Sequence, residues 1–169
     1  VELARRGLES RFHHGLRGTD ADARECVKSA MAVTRLEVEA LLSQGLPNTP
    51  MAGSYIRVTG GNFITARPVG VVDGVDYQYT GAVRKIIAEE INADLDQQNV
   101  VLITPLGVSP AGEIFNLAME EVAEAVAIAL KAEEVGLDVF ASGEHHNPPF
   151  VPSSPTTMLG YIAARTERL

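Results

Sequence analysis

Tryptophan is absent from this chain of 169 residues, cysteine occurs once, and aromatic residues make up only 5% of it. The lone cysteine, Cys26, excludes a disulfide within the chain, and the reading expects a reducing, cytoplasmic setting. Positive charge is also scarce. Fourteen Lys and Arg stand against 22 Asp and Glu, for a formal net charge of −8, with no basic cluster able to neutralise phosphates. That composition argues against nucleic acid or an anionic membrane surface as partner. No uncharged apolar run is long enough to cross a bilayer, and no charged-then-apolar leader opens the chain. Small molecules or other proteins are the partners left.

What is present suits an ordinary globular domain: 46% apolar and 21% charged residues, with enough length for one sizeable core. The chain starts VELARRG without Met and stops at AARTERL without a helix-ending residue, so both ends read as cut. Cys26 sits among Val27 and Ala30 in a helical run and reads as a packing residue rather than a nucleophile. That helix is expected to start with Thr19 as its N-cap, with a possible break inside it, and to close at Gly45 in the left-handed region.

SYIRVTGGNFITARPVGVV reads as two short strands about Gly60 and Gly61, a pair expected to form a hairpin turn. A phosphate cradle would place glycines between a strand and a helix, and here a strand follows. DGVDYQYTGAVRKI continues in strands and turns, and IAEEINADLDQQ is a short acidic helix. NVVLITPLG, almost unbroken in its apolar character, predicts one buried strand. After a Pro-Ala-Gly-Glu turn, NLAMEEVAEAVAIALKAEE predicts a helix with Leu117, Val122, Val126, Ala129 and Leu130 along one stripe. Glu120, Glu121 and Glu124 lie near its positive end. With LDVFAS as a following strand, the order suggests a βαβ crossover and an α/β fold class.

RVTGGNFITARPVGVVDGVDYQYTGAVRKI, the later SPAGEIFNLAMEEVAEAVAIALKA and the earlier GLRGTDADARECVKSA together resemble the amino-acid-kinase-like domain of N-acetylglutamate synthases. The resemblance covers residues 1 to about 131 and implies a truncated amino-acid-kinase-like α/β sandwich with a β-hairpin-rich insertion. It implies a parent reaction, acetyl transfer from acetyl-CoA to L-glutamate in arginine biosynthesis, with this domain regulatory or amino-acid-binding. In the wider family an Asn and an acid at the start of the last helix help bind the acyl-amino-acid, and Asn116 and Glu120 occupy those positions. Where the kinases proper carry Asp, this chain has Glu120. The competing reading of both residues is helix capping and dipole complementarity. The family's Gly-rich loop, its Gly-Ala-Arg-Pro segment and the acetyltransferase domain are not recognisable here. The expectation is therefore no catalytic residue, no cofactor bound by this chain alone, and at most weak binding of glutamate, N-acetylglutamate or arginine.

AEEVGLDVFASGEHHNPPFVPSSPTTMLGYIAARTERL, residues 132–169, resembles a fragment of the bacterial-luciferase-like flavin-dependent monooxygenases, anchored on GEHH. It implies one βα unit resembling part of a TIM barrel, with His145 or His146 on the flavin side and FMN as cofactor under that alternative reading. A barrel takes eight such units, so no flavin chemistry is expected. Metal binding is the weaker reading. Neighbours on a strand face opposite sides, so only Glu144 and His146 point together, and His13 and His14 have no evident route to them. The two resemblances meet in KAEEVG, which places a seam between Leu130 and Gly136. Strands parted from their partners leave apolar edges, so the chain is expected to be oligomeric or aggregation-prone.

Overall fold

The structure, a computed structural model, describes residue 7, residues 11–13 and residues 15–130. A short hairpin of β1 (Arg11–His13) and β2 (Leu16–Gly18) leads into helix α1 (Ala21–Leu42). The cap of α1 is Asp20, not Thr19: the Asp20 carboxylate accepts from the Ala23 N–H at 2.8 Å. Thr19 is unavailable for capping because its backbone bridges to Gln78 and its side chain is buried. The helix runs unbroken for 22 residues and ends one turn before Gly45. Ser43 terminates it, donating both its N–H and its hydroxyl to the Glu39 carbonyl. Gly45 does not have positive φ and so is not a left-handed cap.

The Gly60-Gly61 pair does not turn a hairpin. β3 (Val58–Thr59) pairs in parallel with β8 (Val100–Val101), whereas β4 (Ile64–Pro68) belongs to another sheet. Neither glycine has positive φ, which a two-residue hairpin turn of type I′ requires at both positions. Their small size serves close packing: a Cβ on Gly60 would lie 3.0 Å from the Arg35 guanidinium carbon, and one on Gly61 would lie 2.8 Å from the Phe63 ring. The real two-residue hairpin is Asp73-Gly74, with φ of 51° and 80°, between β5 (Val71–Val72) and β6 (Val75–Asp76).

The main sheet has the order β10-β9-β4-β7, with β7 spanning Gly81–Ile86, β9 Leu106–Val108 and β10 Ile114–Asn116. NVVLITPLG is thus two short strands rather than one. Val100–Val101 stays with β3, and after Pro105, which has no N–H to give a ladder, the chain enters the main sheet as β9. Val100 is exposed and its neighbours are only half-buried. β9 then turns back into β10, with Ser109 and Glu113 closing the loop and Gly112 at φ 86°. The strand Ile114–Asn116 is an element that the sequence pattern did not expose.

Helix α2 (Ala88–Asp96) is the acidic helix, and α3 (Met119–Ala129) is the alanine-rich one. α3 covers β7, and its stripe is as expected: Val122 and Leu130 are buried together with Leu117, while Val126 and Ala129 pack partly against them. Phe63, Ile64, Ala66, Ile86, Ile91 and Phe115 complete the core. LDVFAS, and with it the expected crossover strand, lies outside the described residues.

Candidate functional site

Asn116 does not open helix α3. It is the last residue of β10, the cap position is Ala118, and no side chain caps the helix. The capping reading of Asn116 is therefore wrong, and the reason is geometric: its amide reaches sideways, with Nδ2 donating to Thr19 Oγ1 at 3.1 Å across 97 positions of sequence. Thr19 in turn lies 3.1 Å from the Thr80 hydroxyl, and Thr80 Oγ1 donates to the Arg17 carbonyl at 2.6 Å. Thr19 and Thr80 are 1% and 3% exposed, the two buried polar residues among those described. Backbone bonds lock the same junction: Tyr79 N–H donates to Thr19 O, and Asn116 N–H to Tyr79 O, both at 2.9 Å. Three segments, the entry to α1, the turn before β7 and the end of β10, thus meet at one polar knot.

Around it stand cations and rings. The Arg24 guanidinium sits 3.8 Å from the centre of the Tyr79 ring, and that ring tilts against Phe115 at 6.5 Å. Arg24 Nε is buried without a hydrogen-bond partner, with Glu25 the nearest carboxylate at 3.4 Å. A hydrogen bond from Lys28 holds Glu25 below the usual carboxylate range, despite its exposure. Arg17 packs over Phe12 at 5.2 Å, and burial lowers its pKa from the ordinary arginine value.

Glu120 and Glu121 occupy the first turn of α3, where acids complement the helix dipole. Glu121, read from sequence only as a complement to the helix dipole, has a more definite task. Its carboxylate accepts the Val83 N–H at 2.8 Å, next to the bulge where β7 slips against β4 between Thr65 and Ala66. Glu120 is half-buried and has no side-chain partner among the described residues. The first-turn amides of α3 have no side-chain cap, and Asn116 ends the strand that leads into that helix. Glu144, His145 and His146, and His14, lie outside the described residues. His13 is described and packs edge-on against Tyr77 at 6.4 Å.

A profile of the amino acid kinase family matches residues 1–138. The chain belongs to that family. Among curated relatives, it is 54% identical over 135 residues to an amino-acid acetyltransferase of Azotobacter vinelandii, covering 80% of this chain and 31% of that protein. It is likewise 54% identical over 134 residues to that of Ralstonia nicotianae, covering 79% and 30%. This chain thus spans about a third of the length of these relatives. Among solved structures, N-acetylglutamate synthase from Neisseria gonorrhoeae complexed with coenzyme A and N-acetyl-glutamate superposes with a TM-score of 0.66 at 36% identity. The match covers 77% of this chain and 28% of that one. The same enzyme complexed with coenzyme A and L-arginine gives 0.69 at 36%, covering 78% and 31%. The amino-acid-kinase-like α/β fold expected from the motifs is the fold observed.

Sequence reasoning missed Thr80 at this site and gave Thr19 and Glu121 other roles, a helix cap and a complement to the helix dipole. Thr19 carried a signal, a hydroxyl residue just before a helix, but one that pointed to capping. Thr80 carried none.

Proposed function

We propose that this chain is the kinase-like part of an N-acetylglutamate synthase and serves it as an amino-acid-binding, regulatory module. The parent reaction is acetyl transfer from acetyl-CoA to L-glutamate. The observation that carries the reading is the placement of Asn116: its carboxamide is held by Thr19 at the end of a strand that leads into a helix with no side-chain cap, with Glu120 close in sequence. A carboxamide and free N–H groups suit a carboxylate, and a carboxylate without a partner among the described residues, Glu120, suits an ammonium or guanidinium. Between them they serve N-acetylglutamate, glutamate or arginine. The relatives complexed with N-acetyl-glutamate and with L-arginine support this choice of ligands.

Titration calorimetry of the chain with N-acetyl-L-glutamate and with L-arginine tests the reading. Weak but saturable heat is expected for at least one ligand. Asn116→Ala should weaken it by roughly tenfold, the loss of a hydrogen bond to a charged group, with the circular-dichroism spectrum unchanged. No saturable heat with either ligand at millimolar concentration would sink the proposal.

A second reading concerns residues 132–169, which we propose come from a luciferase-like monooxygenase. The family match runs to residue 138, through the whole seam expected between Leu130 and Gly136, so only the part beyond it, with GEHH beginning at Gly143, lies outside the amino acid kinase match. Under this reading His145 or His146 faced FMN in a complete barrel, and a single βα unit lacks the rest of that site. Added FMN should keep its free fluorescence. Saturable quenching that disappears in His146→Ala would instead give the segment a flavin site of its own.

A further inference from the structure

The hydroxyls of Thr19 and Thr80 and the amide of Asn116 form a line whose proton order follows from its far end. The Arg17 carbonyl can only accept, so the single hydroxyl proton of Thr80, 2.6 Å away, is committed to it. The two hydroxyl oxygens lie 3.1 Å apart, and since Thr80 has no second proton to give, we assign the donation across that contact to Thr19. With that proton spent, Thr19 Oγ1 has only lone pairs to offer, and Asn116 must turn its Nδ2 toward it, as found at 3.1 Å. Asn116 Oδ1 and the second amide N–H are left facing away from the knot, on a half-buried residue with no other side-chain partner among those described.

We infer that Thr19 and Thr80 are positioning residues that fix which atoms Asn116 shows to a ligand: one carbonyl oxygen as acceptor and one N–H as donor. That pairing matches a secondary amide or amine next to a carboxylate, the grouping at the α-carbon of an N-acyl amino acid or a free amino acid. The ligand half of the inference rests on the function proposed above, whereas the orientation of the amide stands independently of it. Burial sharpens the argument, since a half-satisfied hydroxyl pair at this depth is costly and the order that satisfies all three groups is the one described.

The test uses the full chain labelled with nitrogen-15. The side-chain NH2 pair of Asn116, assigned by its loss in Asn116→Ala, should show one proton exchanging roughly fivefold more slowly than the other, as a hydrogen bond of ordinary net strength gives. Thr19→Val, which keeps the shape and removes the acceptor, should abolish the difference, and Thr19→Ser should retain it. Thr80→Val frees the Thr19 proton and lets the amide turn, so it should reduce the difference although Thr80 makes no side-chain bond to Asn116. Equal exchange in the unmodified chain, or an unchanged difference in either valine variant, overturns the proton order. If Thr19→Val does not fold, the Thr80→Val and Thr19→Ser pair decides. N-acetyl-L-glutamate is then titrated against the same signals and by calorimetry, with Thr19→Val expected to bind at least fivefold more weakly and Thr19→Ser as the unmodified chain. Equal affinity in Thr19→Val despite a lost amide signature overturns the positioning role. Absence of binding by the unmodified chain overturns the proposed ligand, while the exchange data still decide the orientation.

Discussion

Asp20 and Thr19 are adjacent, both belong to the residue types that cap helices, and only their surroundings divide the labour. Thr19 is drawn into the buried knot with Thr80 and Asn116, so the cap of α1 falls to Asp20, whose carboxylate takes the Ala23 N–H. Removing that acceptor by Asp20→Ala should cost about 1 kcal/mol of stability, the usual worth of a helix cap, read as a shift in the urea midpoint with an unchanged slope. A loss well above that would mean that Asp20 also supports the knot. Cys26, 1% exposed at the start of the same helix, was legible as a packing residue because its neighbours have helical spacing. It should resist a thiol reagent in the native chain and react fully in denaturant. The partnership of Asn116 with Thr19 was not legible, since 97 positions separate them and nothing local to either announces the other.

Elements with strong periodicity could be read and those defined by their partners could not. α3 was visible because its apolar stripe repeats at helical spacing for three turns, and α2 because its acids cluster at the start. NVVLITPLG misled because an apolar run records burial and not pairing. Its two halves serve different sheets, and the three-residue strand β10 is too short to have any period. Gly-Gly misled in the same way. At Gly60 and Gly61 the need is for absent side chains, whereas Asp73-Gly74 uses positive φ. A glycine that the sheet packing requires is Gly107 in β9, buried against Leu117. A Cβ there would come within 2.6 Å of Ala66 Cβ and 2.9 Å of Leu117 Cδ1. Gly107→Ala should therefore destabilise the chain by about 1–3 kcal/mol, as overpacking does. Leu117→Ala in the same background should recover part of that loss in a double-mutant cycle, since it vacates one of the two clashing positions. Additive losses would place the strain on the backbone instead.

At the scale of the whole molecule the fold is lopsided. The core lies between the main sheet, α2 and α3, whereas α1, 22 residues long, contributes one buried side chain, Cys26. Val33, Leu36 and Leu41 on α1 and Leu46 just beyond it are exposed, with Leu36 at 65%, and among the described residues nothing covers them. No described helix is long and apolar enough to cross a membrane, so lipid does not account for this surface as a span would. Apolar groups left in water at neighbouring turns of one helix favour association with like surfaces. The net charge of −8 opposes it at low ionic strength and does so less as salt screens the repulsion. The chain should accordingly show a mass by light scattering that rises with protein concentration, and rises further with added salt. Leu36→Glu puts a charge at the centre of the exposed stretch without touching the core, so it should lower the mass toward that of one chain and leave the unfolding midpoint within about 0.5 kcal/mol of the original. A chain that stays monomeric at all concentrations and salts would remove the expectation of self-association. Association unaltered by Leu36→Glu would move its seat away from α1.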